Sequence, residues 1–553
     1  MPVFGKSPKF GKFLKKPSNL MKKLALLGML CLSAVKIWAQ GTLTGDLMAS
    51  VNFYNRDSTI NADSNSLYDN YLSGGEAWLS LRYSYKGFNA FLRADAFHNS
   101  NLYSPGNPIT GYGIGAWSLS KEVNNLTITG GYIYEQIGSG ILFRAYEDRG
   151  LLIDNPLVGL HLKYQITDNI FIKGFAGQLK NVKNFGRYEP IIKGVNAEGS
   201  FTIKDGVYTS PGIGALNRTL DQVTMNNIVS DINGYDLDRR FKPTYNTYAF
   251  TAYNNLIAGD FSWYVEGAYK TREAIISNLF SPNYTLSDGS VVYSTLSYAR
   301  KGIAVNLTGK RTETFAMRVD PGETFFRGVM NWQPIVARLR PQRLLARYTP
   351  ASMDLSELAL GSDVLISPSE NMDITLNYTH INTLEDTELY REAYGEVNYR
   401  GLQNWEFQLG VQYLRYNQAF YQLKPNAPIV NAVTPFCEVV YKINDKKSIR
   451  AEFEYMETKQ DFGSWAFALL EYNIAPKWSF AVSDMYTVQL NKDNFAGMKE
   501  PRHFYNFFIA HTKGPHRFTA AYVKQVEGIN CTGGVCRYEP AFSGFRMTVT
   551  SSF

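Results

Sequence analysis

Residue types able to do chemistry are sparse in this 553-residue chain, and they fall into a few groups. Six histidines, His98, His161, His380, His503, His511 and His516, are scattered along it, and only His98-Asn99-Ser100 sets an imidazole beside a hydroxyl. Adjacent residues of a strand point to opposite faces, whereas a nucleophile and its base must meet within hydrogen-bond reach. No enzymatic activity is therefore expected. Asn61, Asp63 and Asn65 have the spacing of a calcium loop but lack the later bidentate acid, so neither a metal nor any cofactor is expected. The densest charge cluster is the stretch 135 to 154, where Glu135, Arg144, Glu147, Asp148, Arg149 and Asp154 surround Gly138, Gly140 and Gly150. Such a segment folded into a pore would constrict it and set acids against bases across the passage, or else brace itself on the wall through its own ion pairs. A second group, within 311 to 357, carries Arg338, Arg340, Arg343 and Arg347. Outside a membrane these guanidinium groups suit lipopolysaccharide phosphates; folded inward they would neutralise acids such as Glu392 and Glu396, and otherwise they are a solvated basic loop. Finally, Cys531 and Cys536 enclose Thr-Gly-Gly-Val, a spacing that fits a small disulfide loop, with Cys437 left single.

The elements that must position these groups are strands. Residues 372 to 379 set Met372, Ile374, Leu376 and Tyr378 against Asp373, Thr375, Asn377 and Thr379. The same period of two recurs at 392 to 400, 405 to 413 and 449 to 455. Short turns such as Lys86-Gly87, Asn124-Asn125, Lys301-Gly302 and Lys513-Gly514-Pro515 occupy every second connection, and longer polar stretches lie between. A soluble sandwich also alternates, but this regular succession of short turns and long loops is the layout of a transmembrane barrel. Eleven hairpins, a first strand near 43 to 54 and a last at 545 to 553 predict an all-β, antiparallel up-and-down barrel of about 24 strands, 22 to 26 being the range. Composition agrees: Tyr 37 and Phe 34 accompany a mean hydropathy of only −0.23, and past the N-terminus no apolar run approaches the length of a spanning helix.

Residues 1 to 39 read as a signal peptide with its working start at Met21: Lys22-Lys23 precede an apolar run from Leu24 to Val35, and Ala39 offers a cleavage site. Leu30 before Cys31 argues against lipidation. Residues 40 to 553 form the barrel. The leader holds eight lysines and no acid, so removing it leaves 48 basic against 49 acidic side chains and no ground for a nucleic-acid partner. The closing strand, with Phe545, Met547, Val549 and Phe553 on one face, suits recognition by the outer-membrane assembly machinery.

The chain resembles outer-membrane barrels of the Bacteroidota, in particular a porin-like family of unassigned function. The resemblance rests on Tyr134-Glu135-Gln136-Ile137-Gly138-Ser139-Gly140 continuing through Phe143 to Arg149 and Ile153-Asp154-Asn155, on Gly463-Ser464-Trp465 with Glu471-Tyr472 and Pro476-Lys477-Trp478, and on Phe553. It implies fold and a location in the outer membrane, with no catalytic role to transfer. The first strand follows the leader so closely that no N-terminal plug of an energy-coupled transporter is expected. Two functions remain open: a passive or loop-gated channel for polar solutes, or a non-conducting structural or accessory partner in an envelope transport, secretion or assembly complex. Outer-membrane lipid and lipopolysaccharide are the expected surroundings in both.

Overall fold

Alternation becomes a closed wall in the computed structural model, which describes residues 41–553 except 64, 105, 277–282, 324–326, 352–353, 492, 494–497 and 533–534, and leaves the side chains of 529–537 undescribed. The expected leader, with Cys31, lies outside the described residues. The wall strands run antiparallel, each beside its neighbours in sequence, from Thr42–Tyr54 to Phe542–Ser552. The short strand Phe201–Lys204 continues Gly186–Gly199 past Ser200, both pairing with Val207–Thr219, so the two count as one and the barrel has 24 strands. The ring closes where Thr42–Tyr54 meets Phe542–Ser552, in register from Asp46 opposite Ser552 to Tyr54 opposite Gly544. Beyond that, Gly45 and Phe553 exchange backbone hydrogen bonds of 2.8 and 2.9 Å. Closure leaves the sheet no edge, so every wall strand finds a partner on both sides.

Side chains are distributed inside out relative to a soluble protein. On Met372–Thr383 the polar Thr375, Asn377 and Thr379 are buried within the barrel, while Leu376 and Tyr378 are 47% and 45% exposed on its outer face. Leu409, Phe453, Leu470 and Phe507 are likewise exposed on other strands. An apolar belt of this extent around a closed barrel would be insoluble unless lipid covers it, which makes the strands the spanning elements. No helix of the described residues is long and apolar enough to cross a membrane. Aromatic pairs such as Trp405 with Tyr441 and Trp478 with His511 lie at the short-turn end of this belt. The turns are built for hairpins: Lys86 and Gly87 both take positive φ, +45° and +76°, as a two-residue turn matched to strand twist requires.

One element was not expected from the sequence. The long connection 220–245 contains the helix Gln222–Asn233, whose N-terminus is capped by Asp221 accepting from the N–H groups of Val223 and Thr224 at 2.8 and 3.0 Å. Its Met225, Ile228 and Ile232 are buried with Leu220, Ala274 and Tyr284.

Candidate functional site

Two of the long connections, 134–156 and 314–356, turn into the barrel. Their flanking wall strands nevertheless pair directly: Ile133 is opposite Leu157, and Arg311 is opposite Leu358. The wall is thus complete behind each, and both segments are excursions into the lumen.

Segment 134–156 folds as two small hairpins, Gln136–Ile137 with Phe143–Arg144 and Glu147–Asp148 with Ile153–Asp154. Gly138 and Gly140 supply the tight bend of the first, at φ +55° and +97°. A Cβ on Gly138 would stand 2.7 Å from Glu266 Oε1 of the wall, so the glycine also allows the close approach. Ile137, Ile141, Leu142 and Phe143 are fully buried against wall residues that include Phe175 and Leu216. This apolar content was missed by the charge-based reading, although Ile141-Leu142-Phe143 is a run that a solvated loop rarely carries.

The charges around this small core are paired with wall charges. Arg93 of Phe88–Ser100, 1% exposed, forks onto Asp95 at 2.7 and 2.9 Å, and it also bonds Asp154 and, at 3.0 Å, Glu147 of the segment. Lys180 bonds Asp154 from another wall strand and donates to the Gly115 carbonyl at 2.6 Å. Tyr134 donates to Asp154 at 2.6 Å; burial and then the nearby Asp154 carboxylate push its hydroxyl pKa up, so it stays a donor. Asp154 therefore joins three groups. Glu135 lies 2.8 Å from both His161 Nε2 and Lys173 Nζ. Burial alone would raise its pKa, but hydrogen bonds from His161 and Lys173 and the Lys173 charge outweigh this and hold it at about 2. Arg149 reaches Glu147 at 2.6 Å, Asp46 at 3.1 Å and Ser80 Oγ at 3.1 Å, while Asp148 accepts from the Leu151 N–H. Arg144 has no carboxylate partner among the described residues and lies over the rings of Tyr146 and Trp332. The six predicted residues thus share one segment but face different walls, most of their charge being neutralised locally.

Segment 314–356 is held in the same manner. Arg340 meets Glu392 at 3.1 Å and Asn377 at 2.9 Å, its guanidinium 3.5 Å from the Tyr394 ring centroid. Arg347 is 3.6 Å from Asp461, which also accepts from Tyr348 at 2.9 Å. Arg338 approaches Asp363 more loosely, at 3.6 Å, and Arg343 is exposed. Glu454 of the wall accepts the backbone N–H groups of Arg343, Leu344 and Leu345 at 2.8, 2.8 and 3.3 Å, a carboxyl group cradled by the first turn of 342–347. Of the three alternatives for these arginines the structure takes the inward one: the segment enters the lumen, where Glu392 of the wall holds Arg340 and Asp461 of the connection 457–462 holds Arg347. Of the acids expected to receive them, Glu392 does, whereas Glu396 is bonded by Tyr394, Gln408 and Asn398.

The two segments are also tied to each other. Arg144 N–H donates to the Met330 carbonyl at 2.8 Å and Trp332 N–H to that of Gly140 at 2.9 Å. Asn331 donates to the carbonyls of Ile141 and Phe315, and Asn155 to that of Val329. Phe315, Met317, Val319 and Met330 complete the apolar cluster around Phe143.

Opposite this body, the inner face of the strands Trp478–Leu490, His503–Lys513, His516–Gln525 and Phe542–Ser552 carries small and hydroxyl side chains, among them Ser483, Thr512, Thr519 and Thr548. Arg517 and Arg546 face inward here and are exposed. Between this arc and Arg149 is a cavity of about 240 Å³ lined by Asn52, Glu76, Trp78, Glu539 and Arg546. Glu76 accepts from Ser50 at 2.6 Å and Ser100 at 2.5 Å, which buries Ser100 while the neighbouring His98 is exposed. Cys531 and Cys536 stand opposite each other in the backbone register of the hairpin Gly528–Thr532 with Val535–Glu539; their side chains lie outside the described residues.

Fold and lumen together define a lipid-facing β-barrel whose interior is occupied by its own loops. The chain belongs to the family described as "Family of unknown function (DUF6029)", whose model matches residues 21–553. None of the curated proteins compared with it matches. Similar solved structures include the ferric-catecholate import receptor Fiu from E. coli K12, at 10% identity and TM-score 0.39, covering 93% of this chain and 82% of that one. The translocation pore of the P pilus usher PapC is 9% identical with TM-score 0.41, covering 92% and 99%. OccK1 of Pseudomonas aeruginosa is 10% identical with TM-score 0.36, covering 92% and 98%. These are likenesses of barrel fold.

Proposed function

We propose that the protein is an outer-membrane channel for small polar solutes, narrowed from within by segments 134–156 and 314–356. The carrying observation is the exposure of Arg517 and Arg546 on the inner face of a closed wall, which requires water on that side of the lumen. Size supports it. A barrel of this strand number has a backbone radius of roughly 20 Å, and the two segments at close-packed density fill only part of the space inside. The passage then runs along the hydroxyl-bearing arc, and its two arginines favour anions. In planar bilayers the wild type should give small, anion-preferring conductance steps. Replacing Arg517 and Arg546 together by Glu should move the reversal potential toward cations in barrels that still run as folded species on unheated gels. If the folded wild type and a folded variant lacking 139–150 are both silent, the channel reading fails.

The buried cluster of Arg93, Asp95, Asp154 and Lys180 favours a second reading, since so many desolvated charges suit a fixed scaffold. In that case the barrel is an accessory partner in an envelope complex, and crosslinking in the native membrane should trap a stable neighbour.

A further inference from the structure

The wall carries a second basic group on its outer face, near the long-loop end. His380, Arg391 and Arg415 are consecutive cross-strand partners: His380 stands opposite Arg391, and Arg391 opposite Arg415. Leu360 on one side and Asn431 on the other extend the row. Like charges directly opposite each other destabilise a sheet, so two adjacent arginines are not there to strengthen it. One carboxylate serves all three: Glu388 bonds Arg391, lies 2.9 Å from Arg415 and 3.9 Å from His380. That leaves a net positive group, with the Arg391 and Arg415 side chains 37% and 32% exposed.

The next rows toward the membrane are apolar and shaped. Below the arginines, Ala393 lies between Tyr378 and Tyr413, and below that Gly395 lies between Leu376 and Val411. The flanking four side chains are all more than a third exposed, whereas the two between them are the smallest available. The outer surface of Glu388–Tyr399 is therefore a groove leading from the basic row into the lipid belt. From Tyr413 down to Trp405 the strand covers about 20 Å along the membrane normal at ordinary rise and tilt, close to the ~25 Å apolar band of such barrels. Both arginines thus lie at headgroup level.

We propose that this is a binding site for a phosphorylated lipid of the outer leaflet: the arginines hold the phosphate, His380 borders it, and an acyl chain lies over Ala393 and Gly395. Charge complementarity fixes the occupant, because phosphate is the anion that a membrane offers at this depth and guanidinium forks match it. The test is native mass spectrometry of the full barrel in micelles carrying diphosphoryl lipid A or its dephosphorylated form. Wild type should retain the phosphorylated lipid at least about tenfold better, and R391Q with R415Q should abolish the difference, since both charge-assisted contacts go. E388Q should strengthen retention, because a competing carboxylate charge is removed. Equal retention of the two lipids by wild type overturns the proposal. So does a double variant that keeps its preference but unfolds at lower temperature, which would make the arginines braces of the 384–387 turn.

Discussion

Asp154 is the side chain through which the lumen segment 134–156 is fastened to the wall, and removing it should release that segment. In Asp154→Ala, Arg93 and Lys180 lose a shared carboxylate and Tyr134 loses its acceptor, all in a site closed to bulk water. Breaking a buried pair by deleting one partner costs about 3–5 kcal/mol. Asp95 and Glu147 remain on Arg93, so the lower end applies, and about 3 kcal/mol corresponds to a roughly hundredfold shift in a local opening equilibrium. Hydrogen exchange read by mass spectrometry measures that directly. The Ala145 N–H, bonded to the Glu135 carbonyl, and the Arg144 N–H, bonded to that of Met330, should exchange about a hundred times faster, while wall amides remain unchanged. A charge-free replacement, Arg93→Met with Asp154→Leu and Lys180→Met, should recover much of the protection, because no desolvated charge is then left unpaired. An acceleration of less than about threefold in Asp154→Ala would refute the reasoning and assign the anchoring to the apolar cluster around Phe143.

Leu142→Ala tests that cluster independently: emptying a fully buried site of this kind costs about 2–5 kcal/mol and should raise exchange throughout 134–156. Glu454→Ala strips the acceptor from three backbone N–H groups, so limited trypsin should cut at Arg343 and Arg347 at least tenfold faster, each N–H left without an acceptor costing about 1–3 kcal/mol. Because the Glu135 carboxyl sits at about 2 in the folded protein, below its ordinary 4.5, its contribution to fastening the segment is fully present above pH 4.5 and fades as pH falls from there toward 2. Exchange protection of the residues beside it should follow that window in wild type and lose it in Glu135→Gln. If Cys531 and Cys536 are bridged, as their opposed register allows, thiol labelling of the denatured, unreduced mature chain modifies Cys437 alone; labelling at three positions excludes the bridge.

The wall was legible in the sequence and its contents were not, and the reason is periodicity. A strand between lipid and lumen writes its orientation into every second residue, so Met372–Thr383 and Trp405–Tyr416 could be read with their faces assigned. Turn chemistry supplied the register, as Lys86-Gly87 does between Ser73–Tyr85 and Phe88–Ser100. An inward segment has no such period. Its direction is set by partners far along the chain in no predictable order, 52 residues away for Arg340 and Glu392 and 111 for Arg343 and Glu454, and composition near Arg340 suits an exterior just as well. Local signals were present but outweighed by charge: Ile141-Leu142-Phe143 announces a buried cluster, and Asp221 ahead of Met225, Ile228 and Ile232 announces a capped helix. The outward arginines 391 and 415 were hidden differently, since only the register reveals that they are neighbours.

Each inward segment leaves the wall and returns to it at strands that pair with one another, Ile133 beside Leu157 and Arg311 beside Leu358. A segment on such a double tether cannot be expelled. Once its contacts break it stays at an effective concentration of about millimolar or more over its own seat, so recapture is a first-order event independent of anything in solution. In a barrel that conducts as proposed, openings governed by such a segment should be brief and exponentially distributed, and their duration should be unaffected by diluting the protein or washing the membrane.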